Sequence, residues 1–236
     1  MDAPQLLTEI TRYCKENANP ANVVKYQRYF KEGYDAWGLD SGLTTSKAKA
    51  LATTPGITLE VVLTAAPELL KSPKYESTSF AILLLLAFQK EWTLSTFVTV
   101  EHWFEIGFTN WAHTDFFCSE ILPVFFKKKI VTPEALEPWR FSDNKFQRRA
   151  AVVGLIKPMK LSTDFRPWFD FIHPIMHDKA REVHQGLGWF LRETWKKQPL
   201  PTEEFLLRYK DTAPRLIFRY ACEKMTPEQK QRFKKT

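Results

Sequence analysis

Residues 110–121 read NWAHTDFFCSEI. A tryptophan, a histidine and an aspartate stand together at the head of a largely apolar stretch that runs to Phe126 and ends in lysines. The pattern predicts a helix over 111–128. On a helix, Trp111 and Asp115 are four apart and share one face. An indole beside a carboxylate is an odd pair for a surface, and the carboxylate is a poor choice for a core. The surroundings of this helix decide the fold.

The helical signal recurs along the whole chain, and no segment shows a sustained strand pattern bounded by turn residues. Candidate helices cover 3–17, 21–36, 44–53, 58–71, 76–91, 94–108, 111–128, 133–141, 144–157, 164–177, 179–197, 202–210, 215–224 and 227–235. Proline or small polar residues punctuate their starts: NPAN at 19–22, TPEA at 132–135, SDN at 142–144, LPTEE at 200–204 and TPEQ at 226–229. From 94 onward the helices fall into pairs, 94–128, 133–157, 164–197 and 202–224. A two-helix period of about 40 residues is the spacing of HEAT-type repeats, which stack into a curved solenoid. The expectation is an all-α, HEAT-like helical-repeat solenoid, one domain over 1–236, with a concave face; a compact helical bundle is the alternative. Second helices of such pairs commonly line the concave face. Trp111, Arg149 and Trp189, on the helices beginning at 111, 144 and 179, lie 38 and 40 residues apart, close to one repeat each.

Composition bounds the function. Hydrophobic residues make up 44% of the 236 and charged residues 26%, an ordinary globular balance. The formal net charge is +7, which suits a polyanionic partner. Cys14, Cys118 and Cys222 are odd in number, far apart and without paired metal-ligand spacing, as expected of reduced thiols in a cytosolic protein. MDAPQLLTEI at the N-terminus lacks the basic and apolar regions of a signal peptide. The longest apolar run, FAILLLLAF at 80–88, is about half of a membrane span. A cytoplasmic protein that makes no use of a membrane is expected.

Four stretches carry a family resemblance: YQRYFKEGYDAWGL (26–39), FTNWAHTDFFCSEIL (108–122), FSDNKFQRRAAVVGLI (141–156) and GLGWFLRETWKK (186–197). Together they resemble the AlkD/AlkC-type DNA alkylation repair glycosylases, HEAT-like solenoids that wrap duplex DNA and excise alkylated purines. The resemblance implies that Trp111 and Asp115 are the family's tryptophan and catalytic aspartate, and that Trp189 is the second aromatic of the lesion cradle. It implies that Arg149 faces DNA, that Arg192 contacts DNA, and that Tyr29 is an aromatic of the N-terminal lobe. Arg148, beside Arg149, joins the expected phosphate contacts. The stretch after Asp40, SGLTTSKAKALATTPG, departs from the family's polar and basic pattern, so no DNA contact is expected of it.

The chemistry is coherent with so few groups. Alkylation at a purine ring nitrogen leaves the base cationic and its glycosidic bond weak, so the base departs without a general acid. A carboxylate near the sugar stabilises the developing positive charge and orients water. Two indoles favour the cationic base by cation–π attraction. Asp115, Trp111 and Trp189 are therefore the expected catalytic set, acting on 3-methyladenine or 7-methylguanine in double-stranded DNA. The protein would work as a monomer, near the nucleoid if bacterial, with water as co-substrate and no cofactor. His173, His177 and His184 do not complete a metal set, and no metal is expected. Two other readings stand beside this one: a non-catalytic repeat protein that binds distorted or branched DNA, and a helical scaffold for a protein partner.

Overall fold

The computed structural model describes residues 1–31 and 33–235. It is all-α, with no strand among the described residues. The chain groups into two compact units, Met1–His113 and Thr114–Thr236.

In the first unit, α1 (Ala3–Glu16) starts at a capping box in which Asp2 and Gln5 each accept the other's backbone N–H. It buries Leu6, Ile10 and Cys14, one residue per turn. Next, α2 (Pro20–Gln27) is capped by Asn19 and stops well short of the expected end at residue 36. The reason lies in the backbone beyond it. Gly33 and Gly38 take φ of 102° and 82°, and the N–H groups of Trp37, Gly38 and Leu39 all donate to the buried Glu76 carboxylate at 2.7–3.0 Å. A Cβ at Gly38 would lie 2.2 Å from the carbonyl oxygen of Asn19, so only glycine fits.

Three longer helices follow: α3 (Ser41–Ala52), α4 (Leu59–Lys71) and α5 (Tyr75–Ala87). The run FAILLLLAF belongs mostly to α5, which packs against α1, α3 and α4 and buries Phe80, Ala81, Ile82, Leu84 and Leu85. A helix apolar on all sides belongs in a core. Among the described residues no helix is long and apolar enough to cross a membrane. The unit continues with α6 (Leu94–Glu101) and α7 (Trp103–Ile106), and α7 rests on α4. The chain then enters α8 (Trp111–Phe116), within which the division between units falls.

In the second unit, the helix expected over 111–128 is present, but with a widened turn. A π-helical segment, Phe117–Ile121, separates α8 from α9 (Leu122–Lys127). Pro123 has no N–H to offer the carbonyl of Ser119 four residues earlier, and that carbonyl accepts from Lys157 Nζ instead. The helix expected over 133–141 is replaced by two 3₁₀ turns, Pro133–Leu136 and Pro138–Phe141. Pro138 removes a donor midway and prevents an α-helix from forming across it. The remaining helices are α10 (Lys145–Val153), α11 (Ile156–Lys160), α12 (Arg166–Ile172), α13 (Arg181–Lys197), α14 (Pro199–Tyr209), α15 (Arg215–Ala221) and α16 (Pro227–Gln231).

The 17-residue α13 is the axis of this unit and packs on α10, α11, α14 and α15. Two glycines let it do so. A Cβ at Gly186 would sit 3.3 Å from the side chains of Arg149 and Val153 on α10, and one at Gly188 would sit 2.4 Å from Tyr220 Cβ and 2.7 Å from the Ile217 carbonyl on α15. In sequence, the small residues of GLGWFL suggest room for an external surface at Trp189. In the fold, neighbouring helices take that room.

Gly188→Ala tests this packing. Alanine improves helix propensity by up to about 1 kcal/mol, but overpacking costs about 1–3 kcal/mol, so a net loss of stability to urea is expected. Gly186→Ala, whose added Cβ would meet side-chain atoms of Arg149 and Val153 at 3.3 Å rather than backbone at under 3 Å, should cost less than Gly188→Ala. A Gly188→Ala protein more stable than the parent would contradict the close approach of α13 and α15.

Candidate active site

In the second unit, α8 contributes Asp115, α10 contributes Arg149, and the two meet in a two-pronged ion pair. Arg149 Nε donates to one carboxylate oxygen of Asp115 at 2.8 Å and Nη2 to the other at 2.7 Å. Nη1 donates to the Glu182 carbonyl at 2.7 Å, in the first turn of α13. The Arg149 side chain is 6% exposed and that of Asp115 is 15%. Three of the five guanidinium N–H groups are thereby committed, while the carboxylate keeps an open edge. Each oxygen spends one acceptor direction on Arg149 and retains another.

The other expected contacts of this unit are also engaged. Arg148 Nε and Nη2 donate to Asp178 at 2.6 and 3.2 Å, and Nη1 donates to the carbonyls of Ser142 and Asp143. It staples the SDN turn that caps α10. Arg192 pairs with Glu223 and, at 3.5 Å, with Glu193. Arg148, Arg149 and Arg192, expected as phosphate ligands, all hold carboxylates of their own chain. Trp189 lies on α13, partly exposed, one turn beyond Gln185, whose amide donates to the Tyr220 hydroxyl at 2.8 Å.

In the first unit, Trp111 opens α8 with its indole stacked on Phe30, the ring centroids 5.6 Å apart, and Nε1–H donating to the Tyr29 carbonyl at 3.2 Å. Phe30 stacks in turn on Tyr34, and Tyr75 on His113. The Tyr29 ring itself is exposed and takes Arg28 over its face. His113 is buried, bonded to Asn110 at 2.7 Å through Nδ1 and to Ser79 at 3.0 Å through Nε2, while Asn110 Oδ1 accepts the His113 N–H and so caps α8.

The profile of a family described as DNA alkylation repair enzyme matches residues 10–225. The chain belongs to that family. Two solved structures share its fold. One, described as a predicted DNA alkylation repair enzyme from Enterococcus faecalis, is 17% identical with a TM-score of 0.73, covering 89% of this chain and 98% of its own. The other, AlkD2 from Streptococcus mutans, is 18% identical with a TM-score of 0.58, covering 87% and 97%. No curated protein matches the chain. Membership assigns this protein to the repair of alkylated DNA and gives it a helical-repeat fold.

Within this repair protein, sequence reasoning missed the groups that hold the expected residues in place. Phe30, Tyr75, Asn110 and His113 hold the start of α8, and Glu182 supports Arg149 only through its backbone. Only the aromatic spacing of Phe30 and Tyr34, four apart, hinted at any of this. The thiols are withdrawn from chemistry: burial pushes Cys14 up to about 12 and Cys222 up to about 11, and Cys118 is also raised, by burial and then by Asp115. His173, His177 and His184 each have a partner within the chain, Tyr209 for His173, Thr212 for His177 and the Asp178 carbonyl for His184.

Burial drives the His113 imidazole down from 6.5 to about 3, against an opposing backbone hydrogen bond at Tyr75. Between those values the unfolded chain binds a proton that the folded chain refuses. Stability is therefore undiminished above pH 6.5 and falls as the pH drops toward 3, by up to about 1.4 kcal/mol per pH unit. His113→Gln removes this component, so its stability to urea should decline less steeply than the parent's between pH 6.5 and 4. Equal slopes would show that His113 is not held neutral.

Proposed function

We propose that this repair protein is a DNA glycosylase that hydrolyses the N-glycosidic bond of cationic alkylpurines, such as 3-methyladenine and 7-methylguanine, in double-stranded DNA. The observation that carries the reading is the Asp115 carboxylate, oriented in advance by Arg149 and open along one edge. Electrostatic catalysis depends on charge held in place before the reaction, because no free energy is then lost in reorganising it. Asp115 faces the positive charge that develops on the deoxyribose and accepts a hydrogen bond from the attacking water. Pairing with Arg149 offsets the repulsion that a bare carboxylate would meet from phosphates.

In this reading Trp111 and Trp189 are the aromatics that stabilise the cationic base, each by about 0.5–2 kcal/mol. Phe30 supports the face of Trp111 and the Tyr29 carbonyl takes its N–H, which leaves the indole little freedom to turn. Arg149 acts on the carboxylate rather than on the DNA. No step in this scheme calls for a metal or a cofactor, and one chain supplies every group.

The test is single-turnover base release from methylated duplex by parent and Asp115→Asn, with binding measured in parallel. The Asn variant should release bases about 10²–10³-fold more slowly, while its affinity for duplex stays within a few-fold of the parent's. Melting curves establish that both proteins are folded under the assay conditions. Unchanged release removes Asp115 from the chemistry. Duplex binding without release by the parent would instead support the non-catalytic reading, a binder of distorted or branched DNA.

A further inference from the structure

The three arginines first expected at phosphates are bound to carboxylates, which raises the question of where this +7 chain leaves its cations uncompensated. Some cations have acid partners close by, Arg12 with Glu9 and Glu16, Lys47 with Glu9, and Lys160 and Lys196 with Glu193. Others, such as the exposed Lys127 and Lys129, stand singly without one among the described residues. Around α15 several such cations gather about shared hollows. Arg181, Arg215, Arg219, Lys230 and Lys234 are exposed, and none has a carboxylate within ion-pair distance among the described residues. Arg215 and Lys230 bond only backbone carbonyls, those of Lys210 and Glu223.

These five side chains border two adjoining hollows of the second unit. The larger, about 560 Å³, has Arg215, Arg219, Lys230 and Lys234 on its rim, Phe218 and Phe233 among its apolar lining, and no carboxylate. The smaller, about 250 Å³, is lined by Arg181, Arg219, Tyr220, Leu216 and Glu223. Glu223 is already engaged by Arg192 and Lys224. Arg219 and Leu216 are common to both hollows, so the cations form one continuous tract.

The tract reaches the candidate site along a single helix. Arg181, Gln185 and Trp189 follow at intervals of four on α13, and Gln185 is bonded to Tyr220 in the smaller hollow. Arg181 lies about 12 Å along the helix axis from Trp189. Resting on the glycosylase reading above, we propose that this tract binds the phosphodiester backbone of the duplex whose damaged base meets Trp189. Exposed cations without acid partners release counterions on binding phosphates, whereas Arg148, Arg149 and Arg192 would first have to break ion pairs.

The test compares parent, the double variant Arg181→Gln with Arg219→Gln, and Lys71→Gln, a first-unit change at a cation paired with Glu68. Binding to undamaged duplexes of unrelated sequence is measured across a salt series, with single-turnover release at saturating methylated duplex. The double variant should bind about tenfold more weakly to every sequence, with a salt slope smaller by about 2. Its release rate at saturation and the behaviour of Lys71→Gln should match the parent. If the double variant keeps the parent's affinity and slope, the tract is not the phosphate site, and the glycosylase reading stands. If the parent itself binds no duplex at low salt, both readings fall together. Unchanged DNA affinity with lost binding of polyglutamate would assign the tract to an acidic protein instead and overturn the proposal.

Discussion

Removing a carboxylate and a guanidinium from water costs several kcal/mol for each ion, and only close, complete hydrogen bonding recovers it. Asp115 and Arg149 approach that condition, with two guanidinium donors on the carboxylate, a third on the Glu182 carbonyl, and the remaining carboxylate edge left partly exposed. Much of the second unit answers to this pair. Asn144 caps α10 through the N–H of Phe146, and Arg148 pins the turn before it, which sets where Arg149 emerges. Gly186 lets α13 pass beside the Arg149 stem. Pro123 widens the turn after Asp115, and Lys157 satisfies the carbonyl that the proline leaves without its helical partner.

The first unit settles its buried polar groups differently. Glu76 stays buried because three backbone N–H groups converge on it, and this ties the loop through Trp37 and Leu39 to α5. His113 stays buried because both ring nitrogens have neutral partners, Asn110 and Ser79. Both arrangements lead to the beginning of α8, where Tyr75 stacks on His113 and Phe30 on Trp111. A tryptophan offered to a ligand must be held without being buried, and Trp111 is partly exposed with its N–H satisfied.

Much of this could be read from the chain alone, for identifiable reasons. Apolar periodicity and proline or Asx punctuation placed helices such as α1, α4 and α13 to within two residues, because local propensity and burial agree there. Two segments misled. The helix expected to residue 36 ends at Gln27, and beyond it residues 37–39 are tied to a carboxylate 37 or more positions away. Residues 133–141 contain a proline whose missing donor outweighs the apolar spacing. Motif resemblance picks out Trp111, Asp115, Arg149 and Trp189 but carries no signal of what engages the arginines. Arg148 finds Asp178 thirty residues on, and Arg192 finds Glu223 thirty-one residues on. A sequence shows that a cation is present, but its partner is set by which helix faces pack together.

Under the proposed glycosylase reading, Arg149 serves catalysis by positioning Asp115, and the two form one functional unit. The most direct measurement is a double-mutant cycle of Asp115→Asn and Arg149→Met, read in single-turnover base release at saturating methylated duplex, on variants verified as folded at the assay temperature. If Arg149 acts only through the carboxylate, the double variant releases bases no more slowly than Asp115→Asn alone. Independent losses that multiply in the double variant would contradict this account and place Arg149 on the substrate itself.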